Sequence, residues 1–279
     1  MGFNLDRWRG RHLPAFEAYL AEVLPQQGSF ATAMRYPVFS GGKRIRPLLC
    51  LAAWDALKPE ATPEDALPGA AAIELVHTYS LVHDDLPCMD DDEERRGRPT
   101  VHVRFGEAAA VLVGDALLTQ AFAVLASLPA EAARPSVQVL ADAAGHVGMI
   151  GGQVLDMGLD GDTSSLERLT ELHAKKTGRL IRASCELGAI AARGDAETRD
   201  ALIGYGEDVG LAFQLIDDVL DAEEDAGENG PPSFVRLLGV DETMRRARQT
   251  VERASQRICR LPNPAPLLAL AAFTVERKV

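Results

Sequence analysis

The segment LVHDDLPCMDDDEERRGRPTVH, residues 81–102, combines a dense run of acids with two adjacent arginines, Arg95 and Arg96. Seven acids lie between positions 84 and 94: Asp84, Asp85, Asp90, Asp91, Asp92, Glu93 and Glu94. They follow an apolar stretch, and carboxylates beside an apolar wall repel one another unless cations neutralise them. Oxygen donors without neighbouring cysteines or a histidine pair favour Mg²⁺ over zinc. The segment therefore predicts a magnesium site.

A second acidic group also follows an apolar stretch and consists of Asp217, Asp218 and Asp221. On a helix Asp217 and Asp221 differ by about 40° after one full turn, so their carboxylates share a face that could chelate a cation. Asp84 and Asp90, in contrast, would lie about 240° apart on an unbroken helix. Pro87 is expected to break that helix and to bring Asp90 back toward Asp84.

Two basic groups accompany the acids. The segment GGKRIRP supplies cations after two glycines that allow a tight turn: Lys43, Arg44 and Arg46. Arg95 and Arg96 form the other group. Arginine binds phosphate oxygens in a bidentate manner, whereas lysine supplies a point charge. GGKR alone is more often an exposed loop. Two acidic and two basic groups in one apolar helical protein together indicate a site for diphosphates with apolar tails.

Helices are the elements that must position these groups. Apolar residues recur at i, i+3, i+4 and i+7 in segments such as LPAFEAYLAEVL, whereas alternation with period two is scarce. The pattern predicts an all-α protein of roughly ten or more helices, packed as a single domain over residues 1–279. The apolar stretch at 108–128 is interrupted by Asp115 and Gln120, so it predicts a buried helix rather than a transmembrane segment.

Composition excludes several classes of protein. Of the 279 residues, 47% are hydrophobic and 25% are charged, which is typical of a globular protein. The net charge of −12 argues against a nucleic-acid partner. The four cysteines are scattered without a C-x-x-C pair, which predicts neither a zinc site nor a disulfide framework, and the N-terminus lacks the apolar core of a secretory signal. We therefore expect a cytoplasmic location.

Five segments resemble those of one family in order and approximate spacing. They are GGKRIRP, ELVHTYSLVHDDLPCMDDDEERRGRPTVH, GGQVLDM, KKTGRLIRAS and FQLIDDVLD, and the resemblance spans roughly residues 35–240. The family is that of the trans-isoprenyl diphosphate synthases, such as farnesyl and geranylgeranyl diphosphate synthases. The resemblance implies an all-α isoprenoid-synthase helical bundle around a central cavity, usually a homodimer, with the two aspartate motifs facing each other across the cavity mouth. It also implies head-to-tail condensation of isopentenyl diphosphate with an allylic diphosphate.

The resemblance further implies a role for each matching position. Three Mg²⁺ ions bound to the allylic diphosphate would be held by Asp84, Asp85, Asp90, Asp217 and, one turn on, Asp221. The allylic diphosphate itself would contact the catalytic residues Arg95, Lys176, Thr177 and Gln214. The diphosphate of isopentenyl diphosphate would be held by Lys43, Arg46, His77 and Arg96. The cavity would be lined by Gln153 and Asp156. Structural roles are expected for His83 and His102. Solvated or arginine-orienting roles are expected for the remaining acids, Asp91, Asp92, Glu93 and Glu94.

The chain departs from the family pattern after Asp221. Relatives carry a longer loop with two lysines there, whereas this chain reads EEDAGENGPPSFVRLLG and has no lysine. Losing one electrostatic contact to a leaving group costs on the order of a hundredfold in rate, so an active but slower enzyme is expected. The C-terminal Arg277 and Lys278 resemble a basic tail that approaches isopentenyl diphosphate in some relatives.

Product length is expected to depend on Tyr79 and Ser80, which lie one helical turn before Asp84 on the inward face. A bulky ring at this floor favours the C15 product, and a C20 product stays open because the facing helix also shapes the floor. Two other interpretations remain: a weakly active or regulatory subunit of a prenyl synthase, which the missing lysines favour, and a terpene cyclase. A cyclase would not need GGKR or His77 to bind a second diphosphate.

Overall fold

The computed structural model describes residues 2–59, 61–223 and 232–276. Within these ranges it contains the following α-helices: α1 (Leu5–Glu22), α2 (Ser29–Val38), α3 (Ile45–Asp55), α4 (Leu67–Asp84), α5 (Val101–Phe105), α6 (Glu107–Ala126), α7 (Ala130–Ala144), α8 (Met149–Asp156), α9 (Leu166–His173), α10 (Arg179–Ala191), α11 (Ala196–Leu220), α12 (Phe234–Leu238), α13 (Val240–Ile258) and α14 (Ala265–Glu276). The strands described are the short antiparallel pair β1 (Glu94–Arg95) and β2 (Arg98–Pro99). Short 3-10 turns cover Pro63–Asp65 and Asp221–Glu223. The predicted all-α class is confirmed.

Helices α3, α4, α10 and α11 form the centre of the bundle. A helix that is apolar on all sides must be buried, and the sequence of α4, LPGAAAIELVHTYSLVHD, is of this kind. Every residue of α4 from Leu67 to Val76 is buried. The main core cluster draws its residues from Trp8 to Ala271. Because α4 is central, its C-terminal end brings the first aspartate motif to the mouth of the bundle.

Helix α6 has one buried and one exposed face. By length and composition it is the one helix among the described residues that is apolar enough to cross a membrane, and 39% of its most apolar window is buried in the fold. Leu117 and Leu125 are fully buried, whereas Val111 and Leu112 are 43% and 56% exposed. The predicted buried helix is therefore correct for the face that packs on α4, whereas Val111 and Leu112 are exposed apolar residues of the same helix.

A smaller apolar cluster supports the second aspartate motif. It joins α9, α11, α12 and α13 through Leu169, Leu215, Ile216, Phe234 and Ala247. The helix α12 also starts with a polar anchor, because the backbone N–H of Phe234 donates to Oδ2 of Asp218 at 2.6 Å. The cluster thus fixes the end of α11, where Asp217 and Asp221 lie.

Candidate active site

Two adjoining cavities meet at the C-terminal part of α4. The first, which we call the apolar cavity, has a volume of about 510 Å³. Its walls come from α3, α4, α6, α8 and the turn before α10: Arg46, His77, Tyr79, Ser80, Leu81, His83, Asp84, Met89, Asp115, Leu118, Met149, Ile150, Gln153, Val154, Met157, Lys176 and Thr177. It combines a mostly apolar lining with charged groups beside the end of α4.

The second cavity, which we call the basic cavity, has a volume of about 530 Å³. It is lined by Ser40, Gly42, Lys43, Arg44, Ile45, Arg46, Glu74, His77, Arg96, Phe213 and Asp217. Arg46 and His77 line both cavities, so the two share a wall. Among the described residues, the structure brings together eight residues with predicted site roles at the apolar cavity, namely Arg46, His77, Tyr79, Ser80, Asp84, Gln153, Lys176 and Thr177. At the basic cavity it brings together Lys43, Arg46, His77, Arg96 and Asp217.

Volume alone does not identify this site. Another cavity of about 530 Å³ lies between α7 and α10. Two of its arginines, Arg182 and Arg199, already pair with Glu186, at 3.6 and 3.2 Å. Among the described residues, none that was predicted to bind substrate or metal lines that cavity, and Arg182 and Arg199 serve an ion-pair network between helices.

The first aspartate motif turns back on itself as the sequence predicted. Helix α4 ends at Asp84, and the backbone N–H of Asp90 donates to the carbonyl oxygen of Asp84 at 2.8 Å. The pKa of Asp84 is raised to about 6, chiefly by burial; Lys176 and Arg95 oppose this rise, and the charges of Asp90 and Asp85 contribute to it. Asp84 is therefore a buried carboxylate beside like charges, a situation that a cation relieves.

Asp85 is engaged with Arg95 instead of pointing freely into the cavity. Nε of Arg95 donates to Oδ1 of Asp85 at 2.6 Å, and another guanidinium nitrogen of Arg95 donates to Asp92 at 3.0 Å. Asp92 thus orients Arg95, which is one of the two roles expected for the acids that follow Asp90. Arg95 is not one of the described residues that line the apolar cavity or the basic cavity. The predicted roles of Asp85 and Arg95 both require this ion pair to be shared with a ligand.

Lys176 and Thr177 lie in a single π-helical turn, Ala174–Gly178, between α9 and α10. Such turns are rare in proteins, and many of those that do occur lie at functional sites. Helix α8 packs closely on this turn, because a Cβ at Gly152 would lie 2.2 Å from the backbone nitrogen of Lys176. Nζ of Lys176 forms an ion pair with Asp156. Gly152 and the π turn together hold both side chains at the apolar cavity.

The basic segment at 43–46 divides into different roles. Arg44 is buried and donates to Glu17 at 2.8 Å, to Glu74 at 2.6 Å and to the carbonyl oxygen of Val38 at 2.7 Å. Its place in the predicted phosphate-binding basic group is therefore wrong, because its guanidinium joins α1, α2 and α4. Lys43 is exposed beside the basic cavity.

Arg46 and Arg96 form the positive wall of the basic cavity, and His77 lies beside them. Burial lowers the pKa of Arg46. The charges of Glu74 and Asp217 oppose this effect, and the charge of Arg96 lowers the pKa of Arg46 further. Burial and then Arg46 and Arg96 lower the pKa of His77 well below its usual value, so its ring is neutral. A guanidinium nitrogen of Arg96 donates to the carbonyl oxygen of Gly41.

Gly42 lets the two predicted basic segments meet. Its φ is +126°, and a Cβ at this position would lie 2.6 Å from a guanidinium nitrogen of Arg96. Only glycine combines that backbone conformation with this close approach. The weak GGKR signal thus has a structural explanation that the sequence did not reveal.

Gln214 and the second aspartate motif lie on the last turns of α11. Nε2 of Gln214 is 2.9 Å from Nδ1 of His173. The backbone N–H of Asp221 donates to the carbonyl oxygen of Asp217, so the helical register that places both acids on one face continues to Asp221. Among the described residues no group of three or more Asp, Glu, His or Cys side chains already converges on one point. The roles of the five aspartates as metal ligands stay predictions.

Sequence reasoning missed Glu74 and His173. Glu74 lies on the apolar helix α4 three residues before His77, a spacing that places both on one face and could have revealed it. His173 carries no comparable signal. The predicted structural roles hold for His102, which is 3.0 Å from the hydroxyl of Thr100, whereas His83 contacts the carbonyl oxygen of Val111 at 3.1 Å and also lines the apolar cavity.

Two sequence predictions fall outside the described residues. The central part of the lysine-free loop, residues 224–231, and the basic residues Arg277 and Lys278 are not among them. The expected effect of the loop on turnover and of the tail on isopentenyl diphosphate therefore stay predictions.

Comparison with known proteins agrees with this geometry. The profile of the polyprenyl synthetase family matches residues 27–234. The chain is 39% identical over 284 residues to the farnesyl diphosphate synthase of Escherichia coli (strain K12). The matched region covers 94% of each of the two chains. It is 40% identical over 261 residues to the geranylgeranyl diphosphate synthase of Cyanophora paradoxa, covering 88% of this chain and 86% of that protein.

The fold has a matching solved structure as well. The crystal structure of an FPP/GFPP synthase from Zymomonas mobilis superimposes with a TM-score of 0.88 at 37% identity, over 99% of this chain and 100% of the other. The predicted isoprenoid-synthase bundle is thereby confirmed. With a family profile over most of its length and such relatives, the chain belongs to the polyprenyl synthetase family and is a short-chain trans-prenyl diphosphate synthase.

Proposed function

We propose that the protein condenses isopentenyl diphosphate with a C5 or C10 allylic diphosphate to give farnesyl diphosphate as its main product, whereas a C15 primer would give the C20 alternative. The observation that carries this proposal is the shared wall between the apolar cavity and the basic cavity, formed by Arg46 and His77. The apolar cavity suits a prenyl chain, with Asp84 and Lys176 at the charged end. The basic cavity suits a second diphosphate, beside Lys43 and Arg96.

The chemistry follows from where the charges lie. Lys176, Thr177, Gln214 and Arg95 contact the allylic diphosphate and stabilise it as the C1–O bond ionises. The alkene of isopentenyl diphosphate, held by its own diphosphate in the basic cavity, attacks C1 and forms the new carbon–carbon bond. A proton then leaves C2 of the isopentenyl unit for the departed diphosphate, which restores an alkene and balances the reaction. The neutral ring of His77 adds no positive charge near the developing cation.

The carboxylates fit the magnesium ions on which members of this family typically depend. Three Mg²⁺ per site are proposed, held by Asp84, Asp85, Asp90, Asp217 and Asp221. The raised pKa of Asp84 supports this assignment, because burial and neighbouring acids make its anion costly until a cation is present. When bound, Mg²⁺ neutralises the departing diphosphate as a Lewis acid.

The C15 product is favoured by Tyr79. Its side chain is 5% exposed, lines the apolar cavity and packs edge-on against His83 with ring centroids 5.8 Å apart. A bulky ring at this depth limits chain growth. The C20 product is the second candidate, because Ile150 and Met157 on the other side of the cavity are 44% and 42% exposed, which leaves that wall less closed.

A homodimer is proposed as the working form. On α6 the apolar side chains of Val111 and Leu112 are 43% and 56% exposed, and Val147, just before α8, is 46% exposed. Monomeric proteins rarely expose contiguous apolar patches of large area, so a second copy is the occupant that we infer.

One assay tests the proposed activity. Purified protein is incubated with isopentenyl diphosphate, Mg²⁺ and the C5, C10 or C15 allylic diphosphate, and the products are identified by mass. Farnesyl diphosphate from the C5 and C10 primers is expected. The complete absence of prenyl products with every primer would instead favour the regulatory subunit, for which the lysine-free loop is the supporting feature.

A further inference from the structure

His173, the last residue of α9, joins elements that carry proposed substrate contacts. Its Nδ1 lies 2.9 Å from Nε2 of Gln214 on α11. Its ring packs on Phe234 of α12, with centroids 5.2 Å apart and an interplanar angle of 32°. The imidazole of His173 therefore contacts the amide of Gln214 with one edge and the ring of Phe234 with one face.

The direction of the hydrogen bond follows from the amide nitrogen of Gln214 that faces the ring. An amide nitrogen only donates, so Nδ1 of His173 accepts and the ring proton lies on Nε2. Burial lowers the pKa of His173 to about 4, with Asp156 raising it and Lys176 lowering it, so the ring is neutral near pH 7. A neutral ring can accept at Nδ1, whereas an imidazolium would donate there and reverse the amide.

This bond determines what Gln214 can offer to a substrate. Diphosphate oxygens accept hydrogen bonds, so the side-chain N–H groups of Gln214 are the part of its amide that can contact them. One N–H is held by His173. Because the amide is planar, fixing one N–H also fixes the direction of the second.

The same imidazole supports the end of α11 through α12. Phe234, on which the ring of His173 packs, donates its backbone N–H to Asp218, the neighbour of Asp217. Phe234 also belongs to the apolar cluster with Leu215 and Ile216 of α11. The ring thus contributes to a contact that holds the second aspartate motif in place.

We propose that His173 is a positioning residue for the allylic diphosphate: its Nδ1 orients the Gln214 amide so that an N–H faces the substrate, while its ring seats α12 against α11. The proposal rests on the proposed function, in which Gln214 contacts that diphosphate. It assigns the hydrogen bond and the ring packing to separate parts of one side chain, so each can be removed alone.

Two variants separate these contributions. His173→Phe keeps an aromatic ring against Phe234 but removes the acceptor. His173→Asn keeps an acceptor near the position of Nδ1 but removes the ring. Both are compared with Gln214→Ala and with the double variant His173→Phe/Gln214→Ala. For each variant we would measure kcat and KM for both substrates and the midpoint of thermal unfolding. Calorimetry would give the affinity for dimethylallyl S-thiolodiphosphate in the presence of Mg²⁺; this allylic analogue binds but does not ionise readily.

The expected result is a loss specific to the allylic substrate. His173→Phe weakens the affinity for the analogue and lowers kcat/KM for the allylic substrate roughly fivefold to tenfold, the size of one hydrogen bond. The KM for isopentenyl diphosphate changes by less than about twofold, and His173→Asn recovers most of the affinity. In the Gln214→Ala background, His173→Phe causes no further loss, since the two residues act as one unit.

Three results would overturn the proposal: equal losses for the Phe and Asn variants, equal losses for both substrates, or effects of His173→Phe and Gln214→Ala that multiply. If His173→Asn melts at a lower temperature and His173→Phe does not, the difference reports the packing of the ring on Phe234, which is part of the proposal. Failure of the proposed function is distinguishable, because it appears as the absence of prenyl products from the unaltered protein. The calorimetric comparison of the variants still decides the role of His173 in that case.

Discussion

Replacing Arg44 tests the division of the segment 43–46 into a structural and a substrate-binding part. In Arg44→Met the carboxylate of Glu74, whose side chain is 4% exposed, loses its 2.6 Å ion pair inside the bundle. Removing one partner of a buried ion pair costs about 3–5 kcal/mol, because the other charge stays buried and unpaired. The pair with Glu17 adds little, since that side chain is 38% exposed and is screened by water.

That cost predicts a large loss of thermal stability. For a chain of this size each kcal/mol lowers the thermal midpoint by roughly 2–4 °C, so Arg44→Met is expected to melt roughly 10 °C below the unaltered protein. The matched control is Lys43→Met, which removes the same charge from an exposed neighbour. It should leave the midpoint within about 1 °C and raise the KM for isopentenyl diphosphate. Circular dichroism melts and steady-state kinetics provide both measurements.

The opposite pattern would refute this reasoning. If Arg44→Met melted within about 2 °C of the unaltered protein and raised only the KM for isopentenyl diphosphate, Arg44 would belong to the substrate-binding group, since such a small shift is typical of surface changes. Glu74 would then find its counter-charge elsewhere, and the assignment of Arg44 to the joint between α1, α2 and α4 would be wrong.

Three other predictions follow from the site. Tyr79→Ala opens the floor of the apolar cavity and should shift the main product from C15 to C20, as seen by mass spectrometry; an unchanged product length would show that another wall sets the limit. Without Mg²⁺, Asp84→Asn should be more stable than the unaltered protein by about 1 kcal/mol at pH 7.5, after allowance for solvent screening. The reason is that a carboxyl whose folded pKa is raised to about 6 stabilises the fold only while protonated, and this contribution is lost as the pH rises through that value. The difference should vanish below about pH 4 in thermal melts, and a difference that instead grew at low pH would contradict the sign. Leu112→Glu should convert the dimer to a monomer in light scattering, whereas Val240→Glu, an equally apolar exposed change on α13, should not.

Local patterns in the sequence predicted the fold class and the turn of the first aspartate motif. Helix periodicity gave the all-α class because each helix buries one face regardless of its partners. The return of Asp90 toward Asp84 was also predictable, since it depends on Pro87 within the same segment. The match of five ordered segments to one family supplied the remaining roles.

Features set by distant partners could not be predicted. Arg44 and Arg46 look alike in the sequence, and they differ because Glu17 and Glu74 lie 27 and 30 residues away from Arg44. The bond between Gln214 and His173 spans 41 residues. The outer walls of the apolar cavity come from α6 and α8, whose apolar residues resemble ordinary core residues until the helices are packed.

The π turn at Ala174–Gly178 has a further consequence for helix phase. Because α9, this turn and α10 follow one another without a break, the wider turn acts as one residue inserted into a continuous helical rod. Deleting Ala174 would restore uniform α-helical winding and leave α9 and α10 in nearly the same phase, because the wider turn spreads one extra residue over about the angle that an α-helix would cover without it. If every residue were kept but wound as an ordinary α-helix, His173 and Leu169 would be rotated by about 100° relative to Thr177 and would face away from Gln214 and Phe234. The winding of this turn therefore sets the angular relation between the diphosphate contacts and the helix that supports them.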